Sequence, residues 1–153
     1  MYPVTFLVFG RPRLDGVQVL ETHYSKLLRG KVRLELVELS ESRASDPAKR
    51  LREEADRLRP PLAKARCPVL LDAAGPSRTS EAFAAWLAPR LDRGDSLAFA
   101  LGSSEGFDPA LKSEVGEKLS LSPMTFPHDL ARVMFLEQLY RAFSILKGGP
   151  YHK

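Results

Sequence analysis

The stretch Ser96-Leu-Ala-Phe-Ala-Leu-Gly-Ser-Ser-Glu-Gly-Phe-Asp-Pro109 joins an uninterrupted apolar run to a loop rich in glycine and serine. The apolar run, residues 96–101, has the length and composition of a strand that is buried on both faces. Asp108-Pro109 places an N-cap residue before a proline at the first helical position, so a helix is expected after the loop. The stretch therefore predicts a strand, a glycine loop and a helix in succession, which is the unit from which parallel α/β sheets are built.

The rest of the chain repeats this alternation of strands and helices. Apolar runs and period-two alternation predict strands at Val4–Phe9, Val32–Leu39 and Pro68–Asp72, with a last short strand near Leu119–Phe126. Helical spacing and Asp-Pro starts predict helices over residues 17–28, 46–59 and 81–91, and a long helix from Asp129 to Leu146. The chain is thus expected to form one α/β domain over residues 1–153, with a mostly parallel sheet and helices on both faces.

In such sheets, ligands bind beyond the carboxyl ends of the strands. The candidate loops therefore follow Asp72, follow Leu101 and surround Phe126.

The last predicted helix is unusually apolar. Twelve of its eighteen residues from Asp129 to Leu146 are Leu, Ala, Val, Met, Phe, Tyr or Ile, and one stripe facing a sheet would need fewer. A helix that is apolar nearly all round has to be buried on more than one side. In so small a domain, the second surface is expected to be another copy of the chain, so we predict a two-fold homodimer with this helix in its interface.

Composition excludes several classes of protein. Of the 153 residues 44% are apolar and 27% are charged, which fits a globular domain rather than a disordered or fibrous chain. The lone cysteine, Cys67, cannot form an internal disulfide, and no stretch approaches the roughly 20 apolar residues of a membrane span. We therefore expect a cytoplasmic protein with no membrane segment.

The common metal and nucleotide motifs are missing. His23, His128 and His152 are too scattered to form a ligand pair at helical spacing, so no metal site is expected. Neither a Walker loop nor a G-x-G-x-x-G sequence occurs. The net charge of +4 permits an acidic partner, and the excess is concentrated in residues 43–66, with a smaller one in residues 127–153. This pattern favours a polyanionic partner only weakly, because residues 43–66 would also suit an ordinary solvated helix.

Four segments together resemble a known family. They are the strand end and loop Leu101-Gly-Ser-Ser-Glu-Gly-Phe107, the run Leu119-Ser-Leu-Ser-Pro-Met-Thr-Phe-Pro-His-Asp-Leu-Ala-Arg132, the helix segment Glu137-Gln-Leu-Tyr-Arg-Ala-Phe143 and the C-terminal tail Gly148-Gly-Pro-Tyr-His-Lys153. In this combination the chain resembles the RlmH (YbeA) family of SPOUT-class methyltransferases, which act on pseudouridine in large-subunit rRNA. Residues 95–153 carry the specific match, and residues 1–66 match mainly in pattern.

The resemblance implies a deep trefoil knot at the C-terminal end of the α/β domain, bound S-adenosyl-L-methionine and a homodimer. It implies methylation of N3 of a pseudouridine in helix 69 of 23S rRNA, with the assembled ribosome as substrate. In the family the cofactor lies in the knot. The corresponding residues here are Leu71, Gly102, Leu121, Ser122, Pro123, Met124, Thr125 and Phe126.

One residue departs from the family pattern beside this expected site. The family usually has I-G-G-P-E-G where this chain has Leu101-Gly-Ser-Ser-Glu-Gly106, so Ser103 replaces a glycine. Its Cβ is expected either to lower cofactor affinity or to be accommodated at a compatible backbone φ.

Proton removal is the chemical requirement that points to catalytic residues, because the ring nitrogen of the acceptor must lose its proton to become a good nucleophile. We expect His152 to act as the base, since histidine titrates near neutral pH, and Tyr151 to stack on or orient the ring. Glu105 is the second candidate for a base or orienting group. Arg132 is expected to meet substrate phosphate or the ring carbonyls.

Two alternatives remain open from the sequence. The chain is either another SPOUT enzyme that methylates a different RNA position, or a non-catalytic RNA- or nucleotide-binding α/β module in which Ser103 has weakened cofactor binding. The Tyr-His-Lys tail favours the RlmH family over other SPOUT enzymes.

Overall fold

Five parallel strands form the centre of the structure, a computed structural model that describes every residue from Met1 to Lys153. The strands are β1 (Tyr2–Phe9), β2 (Val32–Leu39), β3 (Cys67–Leu71), β4 (Leu97–Leu101) and β5 (Glu117–Leu119). They pair in the order β2-β1-β4-β3-β5, and every pairing is parallel. The prediction of an α/β protein with a parallel sheet is confirmed.

Five helices cover the two faces of this sheet. They are α1 (Val17–Leu28), α2 (Pro47–Ala63), α3 (Ser80–Asp92), α4 (Pro109–Glu114) and α5 (His128–Leu146). Buried side chains of α1, α3 and α5 pack on one face, and those of α2 and α4 on the other. The connections through α1 and α3 run toward the β2 edge of the sheet, and these helices lie on the first face. The connections through α2 and α4 run toward the β5 edge, and these helices lie on the second face. All four crossovers between strands therefore have the same hand, as expected for parallel strands.

Three aromatic rings, tilted against one another, join the sheet to α5 at the centre of the larger core. The ring of Phe135 on α5 lies 4.6 Å from that of Phe6 on β1 and 4.7 Å from that of Phe99 on β4, measured between centroids. All three side chains are fully buried. They fix α5 across the middle of the sheet, with its first turn at the carboxyl ends of the strands.

Two predicted element boundaries were wrong. The helix expected to end before Pro60 continues to Ala63, because Leu62 is buried with Ala55 and Leu58 and the packing of that face continues past the prolines. The last strand is Glu117–Leu119, earlier and shorter than predicted. Most of the segment expected to contain it is a loop that leads from β5 into α5.

The apolar character of α5 has a different cause from the one expected. Phe135, Leu136 and Leu139 are completely buried, and α5 packs against the sheet, against α1 and against α3 within the same chain. These contacts use the surface that was assigned to a second copy, so the composition of α5 does not by itself require a dimer. None of the helices, α5 included, is both long and apolar enough to cross a membrane.

Candidate cofactor cleft and C-terminal tail

A cleft of about 320 Å³ lies at the carboxyl ends of β3 and β4, beside the loop that follows β5. Seven of the eight residues predicted to contact a cofactor line it: Leu71, Gly102, Leu121, Ser122, Met124, Thr125 and Phe126. The eighth, Pro123, belongs to the same loop but does not line the cleft. The structure thus brings together three segments that are far apart in the sequence.

The glycine loop on one side of the cleft is a tight turn. The amide of Gly106 donates a 2.9 Å hydrogen bond to the carbonyl of Ser103, and Gly106 has a φ of 82°, which favours glycine. A Cβ on Gly102 would lie only 2.7 Å from the Gly106 carbonyl oxygen. Glycine at position 102 is therefore required by the closure of the turn itself. Ser103 has a negative φ, so its backbone accommodates the side chain without strain.

The opposite side of the cleft is the loop between β5 and α5. Its turn is held by Ser120, which donates to the Ser122 carbonyl at 2.9 Å, and by Ser122, which accepts from the Met124 amide at 3.0 Å. These two hydroxyls stabilise the turn by bonding to its backbone, as serine hydroxyls commonly do. Met124 is 71% exposed at the rim, so it presents an apolar side chain to solvent beside the cleft.

His128 connects the two sides of the cleft. Its Nδ1 lies 2.9 Å from the carbonyl oxygen of Gly102, and because a carbonyl only accepts, Nδ1 carries the proton. The other ring nitrogen, Nε2, is buried and has no hydrogen-bond partner, and in the neutral ring it can act as an acceptor. Buried polar atoms without a partner are uncommon and often mark a place where a ligand or water binds.

Asp72 lines the cleft at the end of β3, a position that the sequence prediction left out of the site. Its carboxylate pairs with the ammonium of Lys112 at 2.9 Å and accepts from the Ala74 amide at 3.0 Å. Burial raises the pKa of this carboxyl, but the Lys112 and Ala74 contacts outweigh burial, so the net pKa lies below its ordinary value. The signal was present in the sequence as a carboxylate directly after a buried strand.

The features of the cleft fit a bound S-adenosyl-L-methionine. Eight of the 17 lining residues are hydrophobic, which suits adenine, and the two loops expose backbone groups to the cleft. The unpaired His128 Nε2 can accept a hydrogen bond from an amino group of such a ligand. No group of His, Cys, Asp and Glu side chains in the structure is arranged to hold a metal ion.

The C-terminal tail is docked on α5 and α3. His152 Nε2 lies 2.7 Å from the Glu81 carboxylate, and its Nδ1 lies 3.3 Å from a nitrogen of Arg141. Since arginine only donates, Nδ1 is the acceptor and Nε2 carries the proton. The lone pair that a base would use therefore faces Arg141 within this chain. A hydrogen bond from its own backbone amide, together with the contact with His152, lowers the pKa of the Glu81 carboxyl.

Tyr151 is anchored beside this histidine. Its hydroxyl donates to Glu137 at 3.0 Å, its ring meets that of Tyr140 at 4.7 Å, and the Arg141 guanidinium lies 4.8 Å above it. Burial and the bonds to Tyr24 and Glu137 raise the pKa of Tyr151 well above its ordinary value. Tyr151 consequently stays protonated and acts as a hydrogen-bond donor and an aromatic surface.

The tail and the cleft do not meet within one chain. Neither Tyr151 nor His152 lines the cleft. Tyr151 reaches back only to Glu137, which is nine residues, or about 13 Å, along α5 from His128. The structure thus separates the two predicted halves of the active site.

Of the other two residues predicted to be catalytic, only Glu105 lines the cleft, at its exposed rim, where it pairs with Arg50. Arg132 is fully buried and bonded to the carboxylate of Glu21 at 2.9 and 3.1 Å, to Glu38 at 3.3 Å and to the Gly10 carbonyl at 2.9 Å. The expected contact of Arg132 with substrate does not fit this geometry, because its buried guanidinium is bonded to groups inside the protein. Its charge instead joins α5 to α1, β2 and the loop after β1.

A second depression, of about 420 Å³, lies between α1, the start of α3 and the middle of α5. Its apolar lining includes Phe83, Val133 and Met134, and it shares Leu121 with the cleft. The polar lining includes Glu137, the anchor of Tyr151. Large apolar side chains on α1 and α5 are also exposed, namely Val19, Leu20 and Leu130.

Comparisons with known proteins identify the family of this chain. The model of the family described as predicted SPOUT methyltransferase matches residues 3–152. Ribosomal RNA large subunit methyltransferase H of Rhizobium meliloti (strain 1021) is 47% identical over 77% of this chain and 74% of its own length. The protein of the same name from Solidesulfovibrio magneticus is 38% identical over 99% of both chains. Among solved structures, TrmJ from Z. mobilis ZM4 superposes on 93% of this chain and 70% of its own with a TM-score of 0.48 and 12% identity. The chain belongs to the SPOUT methyltransferases and, among them, to the family of ribosomal RNA large subunit methyltransferase H.

Proposed function

We propose that this protein transfers a methyl group from S-adenosyl-L-methionine to N3 of a pseudouridine in helix 69 of 23S rRNA, acting on the assembled ribosome in the cytoplasm. The observation that carries the proposal is the cleft at the ends of β3 and β4, where seven of the predicted cofactor residues converge. The two curated relatives are named as methyltransferases of large-subunit rRNA. The cofactor supplies an electrophilic methyl group on a sulfonium.

The proposal includes the knot of this class of enzyme. Its support is the path of residues 119–128, which contact the loop after β3 and then the loop after β4 before entering α5. The Asp72 amide donates to the Leu119 carbonyl and the Ser120 amide to the Pro76 carbonyl, both at 3.0 Å. His128 then bonds to Gly102. A segment enclosed between two loops in this way holds irregular backbone rigidly beside the cleft.

The active site that we propose is shared between two subunits. The tail lies apart from the cleft of its own chain, but its anchor Glu137 lines the second depression. The exposed Leu20 and Leu130 lie one helical turn from Tyr24 and Met134, which also line that depression. A two-fold contact through this surface covers Val19, Leu20 and Leu130 and brings the tail of one subunit toward the cleft of the other. The dimer is thus supported by these exposed residues rather than by the composition of α5.

In this arrangement His152 takes the N3 proton of the acceptor base. To do so, its Nδ1 must leave Arg141, or the ring must exchange tautomers after leaving Glu81. Tyr151 stays protonated and orients the ring by stacking or by donating a hydrogen bond. We assign the orienting of the base to Glu105, which lines the cleft, whereas Arg132 supports the site from within the core.

RNA phosphates are proposed to contact the cationic start of α2. Arg43, Lys49 and Arg52 are exposed and form no ion pair in the structure. Such contacts give affinity but little sequence specificity. A protein this small then depends on the shape of the ribosome for its choice of site, so naked helix 69 should be a poor substrate.

The test is mass spectrometry of rRNA from a strain that lacks this gene. We expect one pseudouridine of 23S rRNA to lose a methyl group and to regain it when purified protein and cofactor are added to ribosomes. Loss of a methyl group elsewhere would identify a SPOUT enzyme with another target. Unchanged rRNA, with no heat on titration with millimolar S-adenosyl-L-methionine, would instead identify a binding module.

A further inference from the structure

Two side chains of α2, Arg50 and Glu54, reach the glycine loop of the cleft from outside. They are four residues apart and so lie on one face of the helix, one turn from each other. Arg50 pairs with Glu105, and Glu54 accepts a 2.6 Å hydrogen bond from the hydroxyl of Ser103. Two residues of the turn 103–106, Ser103 and Glu105, are thereby tied to α2.

Glu54 is an unusual residue for this position. Only 3% of it is exposed, and its two carboxylate oxygens have one donor each, the Ser42 amide at 3.2 Å and the Ser103 hydroxyl. A buried carboxylate oxygen that loses its donor is costly. The Glu54 carboxylate therefore keeps its hydrogen bond to the Ser103 hydroxyl, and this bond holds the turn in place.

We propose that Glu54 and Arg50 are positioning residues that fix the glycine loop in the shape the cofactor cleft requires. This inference rests on the proposed function, and it gives the serine at position 103 a role. The turn is closed by a single backbone bond and joined to the rest of the chain through Gly102 and Phe107. Without the two ties to α2 it can pivot about these flanking residues and change the width of the cleft.

The test compares matched variants by calorimetry with S-adenosylhomocysteine. We expect Ser103→Ala to weaken binding about tenfold, equivalent to about 1.4 kcal/mol, and Ser103→Thr, which keeps the hydroxyl, to bind nearly as well as the wild type. Ser113→Ala is the control, since that serine bonds only to the Pro109 carbonyl on α4. Equal binding by the Ala and wild-type proteins, or equal weakening by Ala and Thr, would overturn the proposal.

A second pair of variants avoids the buried carboxylate. Glu105→Gln breaks the ion pair with Arg50, and Glu114→Gln breaks a comparable pair between α2 and α4 that is remote from the cleft. We expect affinity to fall about threefold in the first variant, since exposed pairs contribute less than buried ones, and to be unchanged in the second. The same affinity in both variants contradicts the inference.

Amide hydrogen exchange provides a readout without cofactor. The Gly106 amide, which donates to Ser103, should exchange faster in Ser103→Ala and Glu105→Gln than in the two controls. If the wild type binds no S-adenosylhomocysteine, the proposed function fails, and the exchange rates still decide the positioning role. Unchanged exchange at Gly106 would show that α2 does not hold the loop.

Discussion

The guanidinium of Arg132 carries a full positive charge in the core, and its hydrogen-bond and ion-pair partners come from three other parts of the chain. Glu21 comes from α1, Glu38 from β2, and the Gly10 carbonyl from the loop after β1. Each of these contacts is distant in sequence, so nothing near position 132 indicates that the arginine is buried. From the sequence alone, Arg132 is therefore expected at the substrate.

Arg132→Met tests this structural role. Removing the cation leaves the buried Glu21 carboxylate without its partner, and we expect the free energy of unfolding in urea to fall by about 3–5 kcal/mol. Arg13→Met is the control, because the Arg13–Glu41 pair is exposed and should change stability by less than about 0.5 kcal/mol. Similar small losses in the two variants would mean that the buried pair is unimportant for stability.

Asp72 gives a pH-dependent prediction. Its pKa in the folded protein lies below the ordinary value of 3.8, so the folded state favours the ionised form. The resulting stability is present above pH 3.8 and is lost as the pH falls through the folded pKa. We expect Asp72→Asn to unfold more easily than the wild type at neutral pH and the difference to shrink in acid. Urea titrations at several pH values measure this, and a constant difference would contradict the ion pair with Lys112.

At the scale of elements, local pattern predicted most of the fold. The strands and helices follow from apolar runs, period-two alternation and Asp-Pro helix starts, because these signals act over a few residues. The errors occur where packing between distant segments decides how far an element extends or what covers it. Burial of Leu62 extends α2 through two prolines, and the packing of α1 and α3 around α5 accounts for the apolar surface that was expected to need a second copy.

In the site, too, some features could be predicted from the sequence and others depend on packing between distant segments. The glycine loop and the segment after β5 were predicted as cofactor residues from the family resemblance, and they do line one cleft. The ties from α2 to this loop and the distance of the tail from the cleft could not be predicted, since both depend on how helices pack across the sheet.

The tail is an element whose removal should separate binding from catalysis. Deleting residues 151–153 removes Tyr151 and His152, which contact α3 and α5 but not the cleft. We expect the truncated protein to bind S-adenosylhomocysteine with wild-type affinity and to lose methylation of ribosomes at least a hundredfold, the scale of a lost general base. Calorimetry and tritiated methyl transfer measure the two effects. Methylation with wild-type kinetics would remove the tail from the mechanism.

At the scale of the whole molecule, the shared active site predicts complementation between two inactive chains. One variant lacks residues 151–153, and the other carries Gly102→Ala, whose Cβ would lie 2.7 Å from the Gly106 carbonyl oxygen and distort the cleft. Mixed dimers contain one site with an intact cleft and an intact tail from different subunits. After random exchange of subunits, half of the dimers are mixed and each has one such site, so we expect about a quarter of wild-type activity.

Leu20→Glu, introduced into both chains, is the control for this experiment. It places a charge on the exposed apolar surface that we assign to the dimer contact, so it should shift the protein to a monomer in sedimentation and abolish the recovered activity. Activity that stays at background in the mixture, while sedimentation shows a dimer, would mean that each subunit works with its own tail. In that case the tail must leave Glu81 and Arg141 and cross its own subunit to reach the cleft. Activity recovered by monomers would exclude the shared site, since the tail and the cleft would then act together without a second chain.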